Sequence, residues 1–172
     1  WMYVHGRHRA YRAMAGPPVI ERRIWFDGDA LWLVLDSVQA PEMHDIRQTW
    51  QFATVGASLD GHSAIAKGSS GATVHLAVSD APGQRVFLEK SVMSPIYGMQ
   101  HPADRLVVER PAANARMAAA LTARPADAAN PILSVTLSEG DPRGAVNVTV
   151  RVDASEAHFT VTPNAWDVRH GK

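Results

Sequence analysis

The sequence contains no cysteine. That excludes disulfides, thiolate catalysis and any zinc site built on cysteine. No apolar run approaches the roughly 20 residues needed to cross a bilayer as a helix. Charge of one sign is also missing, because seventeen basic and seventeen acidic side chains cancel. Without a net field there is no general attraction to nucleic acid or to an anionic membrane surface. Neither a charged leader nor a short apolar targeting segment opens the chain, and its start at Trp1 reads as an internal cut in a longer polypeptide. Helix signals are scarce as well. The alanine-rich stretch 112–129 is bracketed by Pro111, Pro125 and Pro131, and Met117, Ala119 and Leu121 within it alternate, so it reads as strand.

What is abundant is alternation. Val146, Val148, Val150 and Val152 are interleaved with Asn147, Thr149, Arg151 and Asp153, and Leu133, Val135, Leu137, Phe159 and Val161 continue the pattern. This is the period of a strand with one wet face. Ile46, Trp50 and Phe52 do the same, with Gln48 interrupting the apolar row. Leu31 to Leu35 is apolar throughout, as in a strand covered on both faces, and Asp27-Gly28 and Asp60-Gly61 mark hairpin turns. Gly83, Gly98 and Gly140-Asp141-Pro142 punctuate later runs. About ten such segments without crossover helices predict an all-β fold, an antiparallel β-sandwich over residues 1–163 followed by a terminal tail, 164–172.

Catalytic constellations are weak. Ser58, Asp60 and His62 are close in sequence, but a triad is defined by geometry, and no nucleophile elbow is present. Gly68-Ser69-Ser70-Gly71 lacks the lysine of a phosphate loop. His5 with His8 and His44 with Asp45 are the pairs to test for metal; adjacent residues on a strand point to opposite faces, so the expectation is no metal site and no catalytic residue in this chain. Trp25, Trp32, Trp50 and Tyr97 are candidates for stacking on sugars. Apolar surroundings assign Trp32 and Trp50 to the core, whereas Trp25 beside Arg22 and Arg23 stays open to either role. Positive charge is concentrated near the N-terminus, from His5 to Arg23.

Three segments in order resemble the C-terminal β-domain of heparinase II/III-like polysaccharide lyases. They are Tyr11-Arg12 followed by Val19-Ile20-Glu21-Arg22-Arg23-Ile24-Trp25-Phe26, then Leu31-Trp32-Leu33-Val34-Leu35-Asp36-Ser37-Val38 followed by His44, then Met93-Ser94-Pro95-Ile96-Tyr97-Gly98. Glu21 departs from the histidine many relatives carry before the arginine, and Pro41-Glu42-Met43 replaces their glycine-rich link.

The resemblance implies a bacterial, periplasmic or secreted protein in which this chain is an accessory, non-catalytic part. Its partners would be a helical toroid and a catalytic sheet region of the same protein. The whole would cleave acidic, uronate-containing polysaccharide by β-elimination, with zinc held upstream of this chain. Such cleavage needs a base, an acid and a group that neutralises the uronate carboxylate. Arg22, Arg23 and Arg47 are suited to hold an anionic glycan through paired hydrogen bonds. Trp25, His44 and Tyr97 complete the expected substrate-binding set. A carbohydrate-binding or protein-interaction module without a lyase role is the alternative.

Overall fold

The computed structural model describes residues 1–8, 11–139, 144–163 and 165–171. It is all-β among the described residues, with twelve strands in two antiparallel sheets. The larger sheet contains β1 (Met2–His8), β2 (Val19–Phe26), β3 (Leu31–Gln51), β4 (Ser58–Asp60), β5 (Ser63–Lys67), β6 (Thr73–Val78), β7 (Arg85–Met93) and β8 (His101–Arg124). Its order is β1-β2-β3-β8-β6-β5-β4, and β7 pairs with the first half of β8. The smaller sheet contains β9 (Leu133–Glu139), β10 (Val146–Val152), β11 (Ser155–Val161) and β12 (Trp166–His170), in the order β12-β11-β10-β9.

Two expectations change. The supposed tail is structured: Trp166–His170 pairs with β11 and closes the smaller sheet, with Val168 and Trp166 packed on its core. The strand count rises from about ten to twelve through β1, β12 and the short β4–β5 hairpin, although β3 and β8 each fuse two of the expected strands. Both long strands pass through an irregularity, where pairing shifts between Gln39 and His44. Pro41 on β3 falls there and Pro111 on β8 follows just beyond it, opposite Asp45, and a proline has no N–H to give to a ladder. Extra residues in one strand bend it. Side chains from both halves, such as Val38 and Met117 before the bend and Ile46, Leu106 and Val108 beyond it, then meet in one buried cluster.

The turns follow their chemistry. Asp27 Oδ1 accepts hydrogen bonds from the N–H groups of Asp29, Ala30 and Leu31 at 2.8, 3.0 and 3.1 Å, and Gly28 takes the positive φ that this turn needs. The Gly140-Asp141-Pro142 signal lies outside the described residues.

The large sheet therefore has two buried faces. Trp25, Leu33, Leu35, Ala118 and Ala120 meet Val148, Val150 and Phe159 of the smaller sheet. The other, concave face carries Val34, Ala115, Met117, Ala119 and Leu76. Strand β8 is buried on both sides through the middle, and its alanines let each layer approach closely, which is why an alanine-rich segment folds here as strand.

Candidate functional site

On the concave face an open cavity of about 630 Å³ is bordered by Tyr11, Met14, Arg22, Asp36, His44 and Gln48, among others. Its wall is a hydrogen-bonded chain. Arg22 reaches Asp36 through two parallel bonds, Nε to Oδ1 at 2.7 Å and Nη2 to Oδ2 at 2.6 Å. Gln48 Nε2 donates to the same Oδ2 at 2.8 Å, and Trp50 Nε1 donates to Gln48 Oε1 at 3.1 Å. The guanidinium of Arg22 also lies over the Trp50 ring, 5.8 Å from its centroid. Asp36 precedes the bend in β3, while Gln48 and Trp50 follow it, so these bonds tie the two halves of one strand across the cavity. Asp36 and Gln48 are buried, and Arg22 is half-exposed.

A buried carboxylate is tolerated only when paired and hydrogen-bonded. Arg22 and Gln48 supply that pairing, and the hydrogen bond to Asp36 raises the Arg22 pKa against the lowering effect of burial. The result is a fixed, planar cation at the cavity wall. Among the described residues its Nη1 group makes no hydrogen bond, so a carboxylate or sulfate entering the cavity would meet an oriented donor.

Residues 11–18 strap the cavity. His44 Nε2 donates to the Gly16 carbonyl at 2.8 Å, holding the strap from below. A side chain at position 16 would meet the Glu42 side chain at 3.1 Å, and Gly16 has φ +57°, so a larger residue there would be strained.

The expected substrate-binding residues are split. Arg22, His44 and Arg47 border the cavity. The Arg47 guanidinium, however, pairs with Glu89 and with Glu109, the latter at 3.4 Å. Arg105 also bonds Glu89, by Nε at 2.6 Å. Burial pushes the Glu89 carboxyl up, yet the hydrogen bonds from Arg105 and Arg47 outweigh it and hold the pKa below its usual value. Arg23, one residue from Arg22, emerges on the other face and bonds Glu21 at 3.4 Å and the Pro163 carbonyl at 3.3 Å. Trp25 on that same face is fully buried, with ring contacts to Tyr3, Phe159 and Trp166, and offers no surface for a sugar. Tyr97 stands fully exposed in the turn between β7 and β8, apart from the cavity.

Of the two tryptophans assigned to the core, Trp50 packs against the second buried cluster and Trp32 does not. Trp25 is core, whereas Trp32 is 42% exposed and stacks on Phe26 at 4.2 Å. Asp36 and Gln48 were not singled out as site residues. Their signal was a polar residue breaking an apolar row, visible at Gln48 and at the end of the run Leu31–Leu35.

The other constellations separate. His62 approaches Asp80 at 3.4 Å, and Ser58 and Asp60 sit opposite Ile65 and Ser63 in the β4–β5 pairing. His5 lies 3.6 Å from Glu21, and His8 packs edge-on against Tyr11. No three His, Asp or Glu side chains come together as metal ligands among the described residues.

No curated protein matches the sequence. Solved structures do match the fold. A mutant heparan sulfate lyase from Pedobacter heparinus superposes with a TM-score of 0.76 at 14% identity, covering 93% of this chain and 26% of that one. A heparinase III gene product gives 0.78 at 11% identity, covering 93% and 25%. Another heparinase III structure gives 0.77 at 9%, again covering 93% and 25%. The chain thus spans about a quarter of the length of these structures, and at such identities the likeness shows the fold alone. The sequence itself matches the family model described as heparinase II/III-like, C-terminal, over residues 2–122. That match takes in the cavity, its strap and both halves of the bent strand, and the chain belongs to the heparinase II/III-like C-terminal family.

Proposed function

We propose that this chain is the accessory β-sandwich of a heparinase II/III-like lyase, one that cleaves uronate-containing polysaccharide by β-elimination with catalytic groups carried elsewhere in the same polypeptide. The carrying observation is the fold match with heparinase structures over 93% of this chain and only about a quarter of theirs. The chemistry of the cavity supports it. Elimination needs a base, an acid and a carboxylate neutraliser held around one substrate atom. Here Asp36 is clamped by Arg22 and Gln48, and the His44 Nε2 proton is given to Gly16. Arg22 is the group suited to the third task, holding an anionic sugar where the cleft passes the sandwich.

The test incubates this chain, and separately the longer polypeptide that carries it, with a panel of acidic polysaccharides, following ultraviolet absorbance of the unsaturated uronate. The longer protein is expected to cleave and this chain to leave every glycan intact. Cleavage by this chain alone would overturn the reading and direct attention to Tyr11 and His44. Tight binding of glycan by this chain, with no cleavage by the longer protein, would establish a carbohydrate-binding module instead.

A further inference from the structure

Strand β7 begins at Arg85, opposite Glu109, while β8 runs on past it, so Arg110 and Pro111 pair with β3 on one side only. A cavity of about 370 Å³ fills the opening, bordered by Arg47, Arg85, Glu109 and Arg110. Gly83 leaves it unroofed, since a Cβ added there would meet no atom within 4 Å. Arg47, Glu109 and Arg85 form one cross-strand row by register. Glu109 lies 3.4 Å from Arg47 and 3.9 Å from Arg85, and Arg47 is shared with Glu89, which also takes Arg105. Arg85 stays 76% exposed, held by that long contact and by the Phe87 ring, 5.3 Å from its centroid. Arg110 is less satisfied still. Among the described residues its guanidinium makes no hydrogen bond or ion pair, and its Nε is enclosed from water. An enclosed N–H without an acceptor is costly. Asp45 also borders the cavity, yet it pairs with none of these arginines among the described residues. Positive charge is therefore in surplus, and it is least neutralised at Arg85 and Arg110.

We propose that this cavity binds an oxyanion, a carboxylate or sulfate of an acidic polysaccharide, and is a second anionic subsite beside the Arg22 cavity. The polysaccharide rests on the lyase reading, whereas the oxyanion rests on the arginines alone. A guanidinium presents paired donors that match the oxygens of either group. The two cavities adjoin, because Asp45, Ile46 and Arg47 of β3 border both. A glycan lying along β3 beyond the bend would place one charged group at Arg22 and another at Arg85 and Arg110. Two such subsites select a chain with repeated negative charge over one with a single charged sugar.

The probe is a tetrasaccharide of alternating uronic acid and hexosamine, compared with its O-sulfated form and its carboxyl-reduced, unsulfated form. Each is titrated into this chain while the arginine Nε–H signals are followed by nuclear magnetic resonance. The Arg22 and Arg110 signals should both move with the two anionic forms and stay still with the carboxyl-reduced one. Tighter binding of the sulfated form would assign sulfate to the subsite, and equal binding of the two would assign carboxylate. Arg110→Gln and Arg85→Gln should each weaken binding about tenfold, the loss expected for a charge-assisted hydrogen bond. Arg169→Gln, 83% exposed on the smaller sheet, should change nothing. Arg85 is exposed enough to be replaced without unfolding, and the titration of the parent chain needs no variant. Movement at Arg22 alone, parent affinity in both variants, or equal binding of the carboxyl-reduced form would overturn the proposal. No readout uses catalysis, so a longer polypeptide that cleaves nothing would sink the lyase reading and leave this test standing.

Discussion

The two faces of the eight-stranded sheet bury side chains of different kinds. Toward the smaller sheet the contact is dry: Trp25, Leu33 and Leu35 against Val148, Val150 and Phe159, closed within this chain. Toward the concave side a second apolar cluster surrounds a polar chain, Arg22 to Asp36 to Gln48 to Trp50, and opens into a cavity. The first face needs only hydrophobic patterning to form. The second depends on hydrogen bonds that must all be present together, because Asp36 and Gln48 are buried. The first face is closed by packing alone, and the second by a polar chain that borders a cavity.

The largest expected effect is on the dry face. Phe159→Ala removes a fully buried ring and should cost about 3–5 kcal/mol, measured from denaturant unfolding. Trp25→Phe should be far milder than Trp25→Ala, since the Trp25 Nε1 group has no hydrogen-bond partner among the described residues and little is lost beyond volume. Equal losses in the two Trp25 variants would show that the indole nitrogen is bonded after all.

Next comes the polar chain. Asp36→Ala leaves Gln48 buried with a donor unsatisfied, while half-exposed Arg22 can turn to water, so a loss of about 1–3 kcal/mol is expected. Combining Asp36→Leu with Gln48→Leu should recover part of it, because an apolar pair replaces an unsatisfied one. A double variant weaker than Asp36→Ala would mean that the chain holds the bend by more than its own hydrogen bonds.

Acid should act on the large sheet through Asp104. The hydrogen bond from Lys90 at 2.8 Å, with those from the Ala57 and Gly56 N–H groups, holds the carboxyl below its ordinary pKa against the opposing effect of burial. A depressed folded-state pKa contributes stability above the unfolded-state value, and this is lost as pH falls through the folded value. Thermal melts across the acidic range should therefore fall less steeply for Asp104→Asn than for the parent chain. Parallel curves would assign acid sensitivity to other carboxylates.

The smallest effect is expected at Tyr97, where Tyr97→Ser should leave the unfolding midpoint within about 0.5 kcal/mol of the parent, because the ring touches solvent on all sides. A larger loss would place that turn in contact with the body of the sandwich.

The dry face was legible in the sequence because alternation reports a face directly. Val146 to Val152 and Phe159 to Val161 lie where their pattern puts them. The concave face was harder to read. Alternation in β2 sends Arg22 and Arg23 to opposite faces, and the same parity carries Trp25 inward, but composition alone made all three look like one basic, aromatic patch. Trp32 sits in a continuous apolar run that reads as buried on both sides, yet the run passes a sheet face left open near β1. The bend was invisible because Pro41, and Pro111 close by on the partner strand, read as strand ends where the structure continues both strands past an irregularity. Gln48 and Asp36 could have been paired by asking which buried polar residues must satisfy each other, a question that needs the register between the two halves of β3.

Amide hydrogen exchange of this chain tests most directly whether the dry face holds the fold together. Strands β10 and β11 should exchange slowest and β1, every residue of which is exposed, fastest. Contradiction would come from β1 exchanging as slowly as β10.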